Sequence, residues 1–340
     1  MVSKFGKKFE NVSKLFNHAA HNGSNYLNGH CFVSIMLCVP VLDHDKISYL
    51  SVPLGYGYRM WQKKESKLEL AASMIRQVMP EFLSKEHVII LCDSWYTKKN
   101  LVSIIDEYPN LDLIGNARID SVMYDLAPAR TGRRGRPAKH GKRLCVETDF
   151  TFSKEKIGDY YTGVRRVFTK IFGDREVLAY VTDTEKGNGT KRLFFSTIFS
   201  EDLKVFCTEE HSSSDQTDHD PVNYIPLLLY AFRWKIEIGY YDQKTFWSFC
   251  DYMVRSRKGI EMLVNLINIS YCAMKILPYQ DKYFSKYRTK SVQEFRFELN
   301  QEIRKQIFFA TFVKNIETHI KSETMIKALK QLICQQVCHL

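Results

Sequence analysis

Between positions 230 and 244 the chain reads Tyr230-Ala-Phe-Arg-Trp-Lys-Ile-Glu-Ile-Gly-Tyr-Tyr-Asp-Gln-Lys244, which contains the pattern Y-x2-R-x3-E-x6-K. A helix turns by about 100° per residue, so the four polar side chains of this pattern fall on one stripe about 60° wide. Arginine can hold a phosphate through two hydrogen bonds, lysine adds a point charge, and glutamate can bind a divalent metal through oxygen. The pattern therefore favours a phosphate-binding face beside a metal-binding carboxylate, formed by Tyr230, Arg233, Glu237 and Lys244.

A solvated helix face with ion pairs four residues apart is the alternative interpretation of this stretch. Apolar residues surround the stripe: Leu227, Leu228, Leu229, Phe232, Trp234 and Ile236. A helix that is apolar on most sides is expected to be buried, and a charged side chain in a buried helix needs a partner or a function. We therefore expect this helix to be buried and its polar stripe to be functional.

The spacing of the four residues matches the signature of the DDE transposases of the insertion-sequence-four group, also called the YREK transposases. Weaker motifs of the same family follow in order along most of residues 1–280: Lys4-Phe-Gly6, Asn28-Gly-His30, Pro53-Leu-Gly55, Leu91-Cys-Asp93-Ser-Trp95 and Gly135-Arg-Pro137. The chain thus resembles this family. The resemblance implies a ribonuclease-H-like fold, DNA as the substrate, and Mg²⁺ or Mn²⁺ in a two-metal site.

The resemblance also implies a catalytic triad of two aspartates and a glutamate. Asp93 and Glu237 match its second and third positions and would be the catalytic, metal-binding residues. Asp93 ends an apolar run, His87 to Cys92, as expected at the end of a central strand, although a helix N-cap is the other interpretation. In the family the first Asp precedes a segment like Lys4-Phe-Gly6, and here no Asp precedes Asp43. We therefore expect this chain to lack the first core strand and the first triad carboxylate.

Roles in DNA binding follow from the same resemblance and from the basic residues. Arg233 and Lys244 would clamp the transferred strand, and Tyr230 would hydrogen-bond a nearby phosphate. Trp234 and Trp247 could stack on an extruded base, although core packing is the commoner role of such residues. Further contacts with the DNA backbone are expected from a basic loop: Arg133, Arg134, Arg136 and Lys139. Its Arg-Gly-Arg-Pro core could lie in an A·T-rich minor groove or be a solvated loop.

The pattern of apolar runs predicts an α/β fold, a ribonuclease-H-like mixed sheet with helices, interrupted by a β-rich insertion and followed by C-terminal helices. We divide the chain into a first part of the core without its first strand (1–115), the β-rich insertion (116–205), a core completion with the Glu-bearing helix (206–285) and a C-terminal helical region (286–340).

Individual elements can be placed within this fold. Cys31–Val41 and Ile47–Leu54 read as a hairpin that supplies the second and third core strands, so its first strand would have an unpaired edge. The insertion should contain three longer strands: Tyr160–Phe172, Glu176–Thr182 and Arg192–Phe199.

Composition agrees with a globular protein that binds a polyanion. The 340 residues carry a formal net charge of +11. An excess of positive charge of this size is typical of a protein that binds a polyanionic partner through its phosphates. No run of about 18 apolar residues predicts a membrane span, so we expect no membrane partner. Nine cysteines without a C-x2-C pair favour a reducing cytoplasm. The resemblance to the insertion-sequence transposases implies a bacterial protein associated with the nucleoid.

Two functions remain open from the sequence. The first is a cut-and-paste transposase that hydrolyses and joins phosphodiesters at the ends of its insertion sequence and self-associates on double-stranded DNA. The second is a catalytically inactive, truncated transposase that acts only as a DNA-binding remnant or inhibitor. The two differ in whether a first triad Asp is present.

Overall fold

The computed structural model describes residues 1–4, 8–16, 24–43, 46–128, 138–187, 189–199 and 224–319, together with Lys327 and Gln331. The chain forms two compact units, Met1–Ile269 and Ser270–Leu340.

In chain order the strands are β1 (Val2–Ser3), β2 (Ser13–Phe16), β3 (Tyr26–His30), β4 (Phe32–Asp43), β5 (Lys46–Met60), β6 (Val88–Cys92), β7 (Leu111–Ala117), β8 (Met123–Tyr124), β9 (Arg143–Leu144), β10 (Tyr161–Thr169), β11 (Glu176–Asp183) and β12 (Lys191–Ser196). The α-helices are α1 (Lys67–Val78), α2 (Lys99–Val102), α3 (Ile225–Tyr230), α4 (Lys235–Phe246), α5 (Arg257–Gln280) and α6 (Val292–His319). Short 3₁₀ helices occur at Met79–Glu81, Ser103–Glu107, Ala231–Trp234 and Lys282–Tyr287.

A mixed sheet of seven strands is the centre of the first unit, as far as the described residues show, in the order β6-β7-β12-β11-β10-β8-β9. β6 and β7 run parallel with Cys92 opposite Gly115, and the other neighbours are antiparallel. Strands of this sheet alternate between two apolar faces: Val88 and Ile90 of β6 pack with α1 and α2, whereas Ile89 and Leu91 pack against α3. Helices on both faces confirm the α/β class and are consistent with a ribonuclease-H-like arrangement.

The start of α1 is fixed by its own sequence. Ser66 caps the helix, and Glu69 reaches back to the Ser66 backbone, which completes a capping box. The buried side of the helix presents Leu70, Ala71 and Met74 to the main core beside β6 and β7. α1 therefore packs on the face of the sheet that includes β6, the strand that Asp93 follows.

The hairpin of β4 and β5 was predicted as part of the core sheet, and the structure corrects this. The two strands pair only with each other among the described strands. Val33 still belongs to the main core, which also contains Cys92, but towards the tip Leu42 and Ile47 are 72% and 69% exposed. The reason is that β4 and β6 share a core without sharing hydrogen bonds, and no described strand lies between them.

The three long strands of the insertion form as predicted, within two residues at most ends. They are β10, β11 and β12, and the turns between them contain Gly173 and Gly187 with φ of 68° and 90°. β12 pairs with β7, so Leu193 lies opposite Ala117. The insertion therefore extends the same sheet that carries Asp93.

Helix α5 is long and apolar enough to cross a membrane by length and composition. The apolar runs of the sequence had predicted no helix of this kind. In the first unit Ile260 and Val264 on α5 are fully buried against Tyr58 and Met60 of β5. On that side α5 is a core helix.

The second unit contains the end of α5, the turn Lys282–Tyr287 and α6, in agreement with the predicted C-terminal helical region. Tyr287 and Phe295 stack with ring centroids 4.2 Å apart. Lys290 is paired with both Glu294 and Glu298 at the start of α6.

Candidate active site and nucleic-acid surface

Asp93 lies directly after β6, at the carboxyl end of a strand in the parallel part of the sheet. Its Oδ1 accepts hydrogen bonds from the backbone N–H groups of Trp95 at 3.0 Å and Tyr96 at 3.3 Å. Its carbonyl oxygen accepts the hydroxyl of Thr97. The turn after β6 therefore holds the carboxylate of Asp93 in place and leaves it exposed to solvent. Asp93 caps this turn and not a helix, since the next helix begins at Lys99 with Lys98 at its N-cap, and its carboxylate remains available to a ligand.

The signature stretch is helical but interrupted. α3 ends at Tyr230, a 3₁₀ turn covers Ala231–Trp234, and α4 begins at Lys235. Across this turn Arg233 Nη1 donates to Glu237 Oε1 at 2.9 Å. Half-buried Arg233 and the more exposed Glu237 thus form an ion pair that faces the end of β6.

The charge of Asp93 acts on the same arginine. Burial of the Arg233 guanidinium favours its neutral form, but the hydrogen bond that it donates to Glu237 and the charges of Tyr230, Glu237 and Asp93 outweigh this and raise its pKa. Both candidate carboxylates therefore stabilise one cation. The structure brings Asp93, Arg233 and Glu237 together at one edge of the sheet.

Tyr230 is less accessible than the sequence predicted. Its ring packs on Phe194 of β12 with centroids 4.9 Å apart, and it also joins the apolar layer under α3. Burial raises the pKa of Tyr230 to about 12, while nearby Arg233 and a hydrogen bond with the Asn116 backbone oppose the shift. The phenol is therefore held by the protein and does not lie on an open face.

Tyr240 is a member of the site that the sequence analysis missed. Burial raises its pKa, the hydrogen bond with Ser34 opposes this, and the charges of Cys31, Glu237 and Asp93 raise it further. The two hydroxyl oxygens of Tyr240 and Ser34 are 2.5 Å apart, which ties α4 to β4. Tyr240 is three residues after Glu237 and therefore lies on the same side of the helix. That spacing is the feature of the sequence that could have identified Tyr240 as part of the site.

Lys244 ends the signature near other cations. The amino group of Met1 has a lowered pKa because it is buried and because Lys244, and to a smaller degree Lys67, lie close to it. Lys244 also lies over the ring of Tyr240, at 5.9 Å from its centroid. Within the described residues neither lysine has a carboxylate partner within 4 Å, so this side of the site is electropositive.

The exposed side of the signature helix corrects the prediction of burial. Leu228 and Trp234 are 61% and 59% exposed, and Ile238 and Tyr241 are exposed on the same side. α3 packs on the sheet through Ile225, Leu227, Leu229 and Tyr230, whereas Leu228 points away from it. Core packing was thus wrong for Trp234, whereas Trp247 is buried as expected.

The basic loop is only partly visible. Arg133, Arg134 and Arg136 lie outside the described residues. Lys139 is described and is 3.8 Å from Asp174, with both side chains largely exposed.

Carboxylate oxygens are suitable ligands for Mg²⁺ or Mn²⁺, and Asp93 and Glu237 could each offer one. One oxygen of each is already engaged, by the backbone after β6 and by Arg233. In the part of the chain that the structure describes, no group of three or more His, Cys, Asp or Glu side chains converges as a metal site. The two residues therefore fit part of a divalent-metal site and do not complete a two-metal one.

Comparison with known proteins covers the first half of the chain. Residues 3–162 match the family described as DDE superfamily endonuclease, a range that includes β6 and Asp93 and ends before the signature helix. No curated protein matches the sequence significantly. The match and the mixed α/β sheet support a DDE transposase family and a nuclease-like function on DNA. Members of this superfamily use divalent metals.

Proposed function

We propose that the chain is the transposase of an insertion sequence, which hydrolyses DNA phosphodiesters at the element's ends and joins them to a target by a cut-and-paste route. The observation that carries this proposal is the ion pair of Arg233 and Glu237, on whose guanidinium the charge of Asp93 at the carboxyl end of β6 also acts. The spacing of the signature and the endonuclease match support the same class.

Each residue of the site has a role in this proposal. Asp93 and Glu237 would hold Mg²⁺ or Mn²⁺, which supplies activation of the attacking oxygen and stabilisation of the leaving oxygen. Arg233 uses one of its N–H groups on Glu237 and keeps others for a phosphate of the transferred strand. Lys244 adds positive charge beside that strand. Tyr230 packs against Arg233 and positions the guanidinium, at 5.9 Å from its ring.

The DNA partner is expected to reach beyond this centre. Arg133, Arg134, Arg136 and Lys139 would contact the backbone of the duplex, with Trp234 exposed beside Arg233. Assembly on two element ends requires self-association, and the bacterial nucleoid is the matching location.

The test is metal-dependent cleavage of DNA that carries the element's ends, by the chain extended ahead of Met1 with a strand bearing Asp-Asp-Thr, with DNA binding measured in parallel. Asp93→Asn keeps an oxygen for the backbone bonds, and Glu237→Gln keeps one for Arg233, so both remove charge with little change of structure. Both variants should abolish cleavage and leave the affinity for DNA nearly unchanged. Asp120→Asn, an exposed carboxylate paired with Arg118, is the matched control and should cleave normally.

Cleavage that survives both substitutions would remove Asp93 and Glu237 from the catalytic role. DNA binding without any metal-dependent cleavage, even after the N-terminal addition described in the Discussion, would support the inactive DNA-binding protein instead.

A further inference from the structure

A second aromatic and basic surface lies next to Asp93 and is not part of the signature. Trp95, two residues after Asp93, is 46% exposed. The ammonium groups of Lys98 and Lys67 lie 4.2 Å and 5.6 Å from the centroid of its ring. Lys67 also lies 5.0 Å from the ring of Trp61. These four residues, Trp61, Lys67, Trp95 and Lys98, are called the tryptophan–lysine strip below.

The strip is held by the fold. Trp95 follows the turn that Asp93 fixes, and Lys67 is in the first turn of α1 behind its capping box. The indole N–H of Trp61 donates to the Glu65 carbonyl at 2.6 Å. The ring of Trp61 and the backbone of Trp95 are therefore anchored, while the lysine side chains are long and can move.

The charges of the strip have no internal counter-ion. Among the described residues, neither Lys67 nor Lys98 forms an ion pair within 4 Å. Lys67 lies on the same side as Lys244, since both act on the amino group of Met1.

An exposed indole between two unpaired lysines suits a particular ligand. A positively charged groove with aromatic side chains is how proteins hold single-stranded nucleic acid, because bases stack on the rings and phosphates meet the lysines. Duplex DNA cannot use the ring in this way, because its bases are already stacked on each other. The free energy of stacking a base on Trp95 exceeds the free energy lost with a solvent-exposed cation–π contact. Lys98 can then turn to a phosphate.

We infer that the tryptophan–lysine strip binds an unpaired stretch of DNA beside the cleavage site, with one base on Trp95 and the flanking phosphates at Lys67 and Lys98. The inference rests on the proposed function only in taking DNA as the ligand. It assigns the selection of single-stranded over duplex DNA to residues outside the signature.

The experiment measures the affinity for a fluorescein-labelled single-stranded oligonucleotide of mixed sequence and for the same sequence as a duplex, at several salt concentrations. Trp95→Ala should weaken binding of the single strand about tenfold and of the duplex less than about twofold. Trp95→Phe, which keeps an aromatic face, should fall between the native chain and Trp95→Ala. It should also lose part of the tryptophan quenching that the single strand causes.

The lysines are tested as a pair. Lys67→Gln/Lys98→Gln should lower the slope of log affinity against log salt for the single strand by about 1.4, the value for two phosphates. Lys85→Gln/Lys170→Gln removes the same charge at the opposite end of the strands from Asp93 and should leave that slope unchanged. Lys85 precedes β6, and Lys170 follows β10, whose Thr169 end lies away from Asp93.

The possible outcomes separate the two proposals. Equal losses for single strand and duplex in Trp95→Ala, or equal slopes in the two lysine pairs, would overturn the strip while DNA binding itself stands. Failure of the native chain to bind either DNA would overturn the proposed function together with the strip. Circular dichroism of each variant identifies loss of folding, and the lysine pairs still decide if Trp95→Ala unfolds.

Discussion

At the scale of single residues, the ion pair between Arg233 and Glu237 decides how the site is organised. A partly exposed pair of this kind contributes little to stability, since water and salt screen it. Its value lies in position: it directs the guanidinium towards the end of β6 where Asp93 lies.

Glu237→Gln should therefore change the free energy of unfolding by less than about 0.5 kcal/mol in urea titrations. Glu294→Gln is the matched control, because Glu294 is 49% exposed, against 45% for Glu237, and is likewise paired four residues away, with Lys290. The two variants should unfold alike. A loss above about 2 kcal/mol for Glu237→Gln alone would show that the pair is a structural element and not a solvated part of a site.

The raised pKa of Tyr230 predicts a dependence of stability on pH. The folded pKa, about 12, lies above the ordinary value of 10, so the folded state keeps the proton more strongly. The resulting stability is complete below pH 10 and is lost as the pH rises from 10 towards 12. Tyr230→Phe removes this contribution. Between pH 9 and pH 11 its free energy of unfolding should therefore fall by about 1 kcal/mol less than that of the native chain.

Urea unfolding at the two pH values measures the difference, and the exposed Tyr241→Phe serves as the control that should behave like the native chain. If Tyr230→Phe and the native chain lost the same stability, the phenol would be solvated and free to reach a phosphate directly.

At the scale of elements, the break between α3 and α4 determines what the signature helix exposes. The 3₁₀ turn Ala231–Trp234 is wound more tightly than an α-helix and rises more per residue, so the residues after it are rotated relative to an unbroken helix. Arg233 then meets Glu237, and Trp234 faces solvent. An unbroken helix was the assumption behind the predicted burial.

The two tryptophans of this region should therefore differ in their effect on stability. Trp234→Ala should cost less than about 1 kcal/mol, because the side chain is mostly exposed. Trp247→Ala should cost about 3–5 kcal/mol, since this side chain is buried. Chemical denaturation of both variants tests the contrast, and a cost for Trp234→Ala near that of Trp247→Ala would mean that the face is covered.

At the scale of the whole molecule, the open edges of β4 and β6 are the main feature. β6 is the end strand of the seven-stranded sheet, and β4 pairs only with β5 among the described strands. Val33 of β4 and Cys92 of β6 nevertheless share one core. Two neighbouring strands with unpaired edges invite either an additional strand or aggregation.

A strand bearing Asp-Asp-Thr, added ahead of Met1, is expected to fill this place and to bring a third carboxylate to Asp93 and Glu237. Metal-dependent cleavage should rise from undetectable to measurable, and the melting temperature should increase. The same addition with Asn-Asn-Thr is the control, which should gain the stability without the cleavage. Strong cleavage by residues 1–340 alone would contradict this expectation and would mean that another acid completes the site.

The sequence by itself determined the strands, the position of Asp93 and the spacing of the signature. Each depends on local periodicity: β10, β11 and β12 are short apolar runs between turns, and Asp93 ends such a run. The ion pair of Arg233 and Glu237 belongs to the alternative interpretation of this stretch, a helix face with pairs four residues apart, and such neighbours are fixed by the helix itself.

Only the tertiary structure decided which sides of these elements are covered. The exposure of Trp234, the burial of Tyr230 on Phe194, the bond between Tyr240 and Ser34 and the meeting of Lys67 with Trp95 each join residues distant in the chain or depend on packing between elements. Periodicity shows that a helix has an apolar side, but the sheet it packs against selects which apolar residues are buried. The physical reason is that burial belongs to a pair of surfaces, and a sequence pattern describes only one of them.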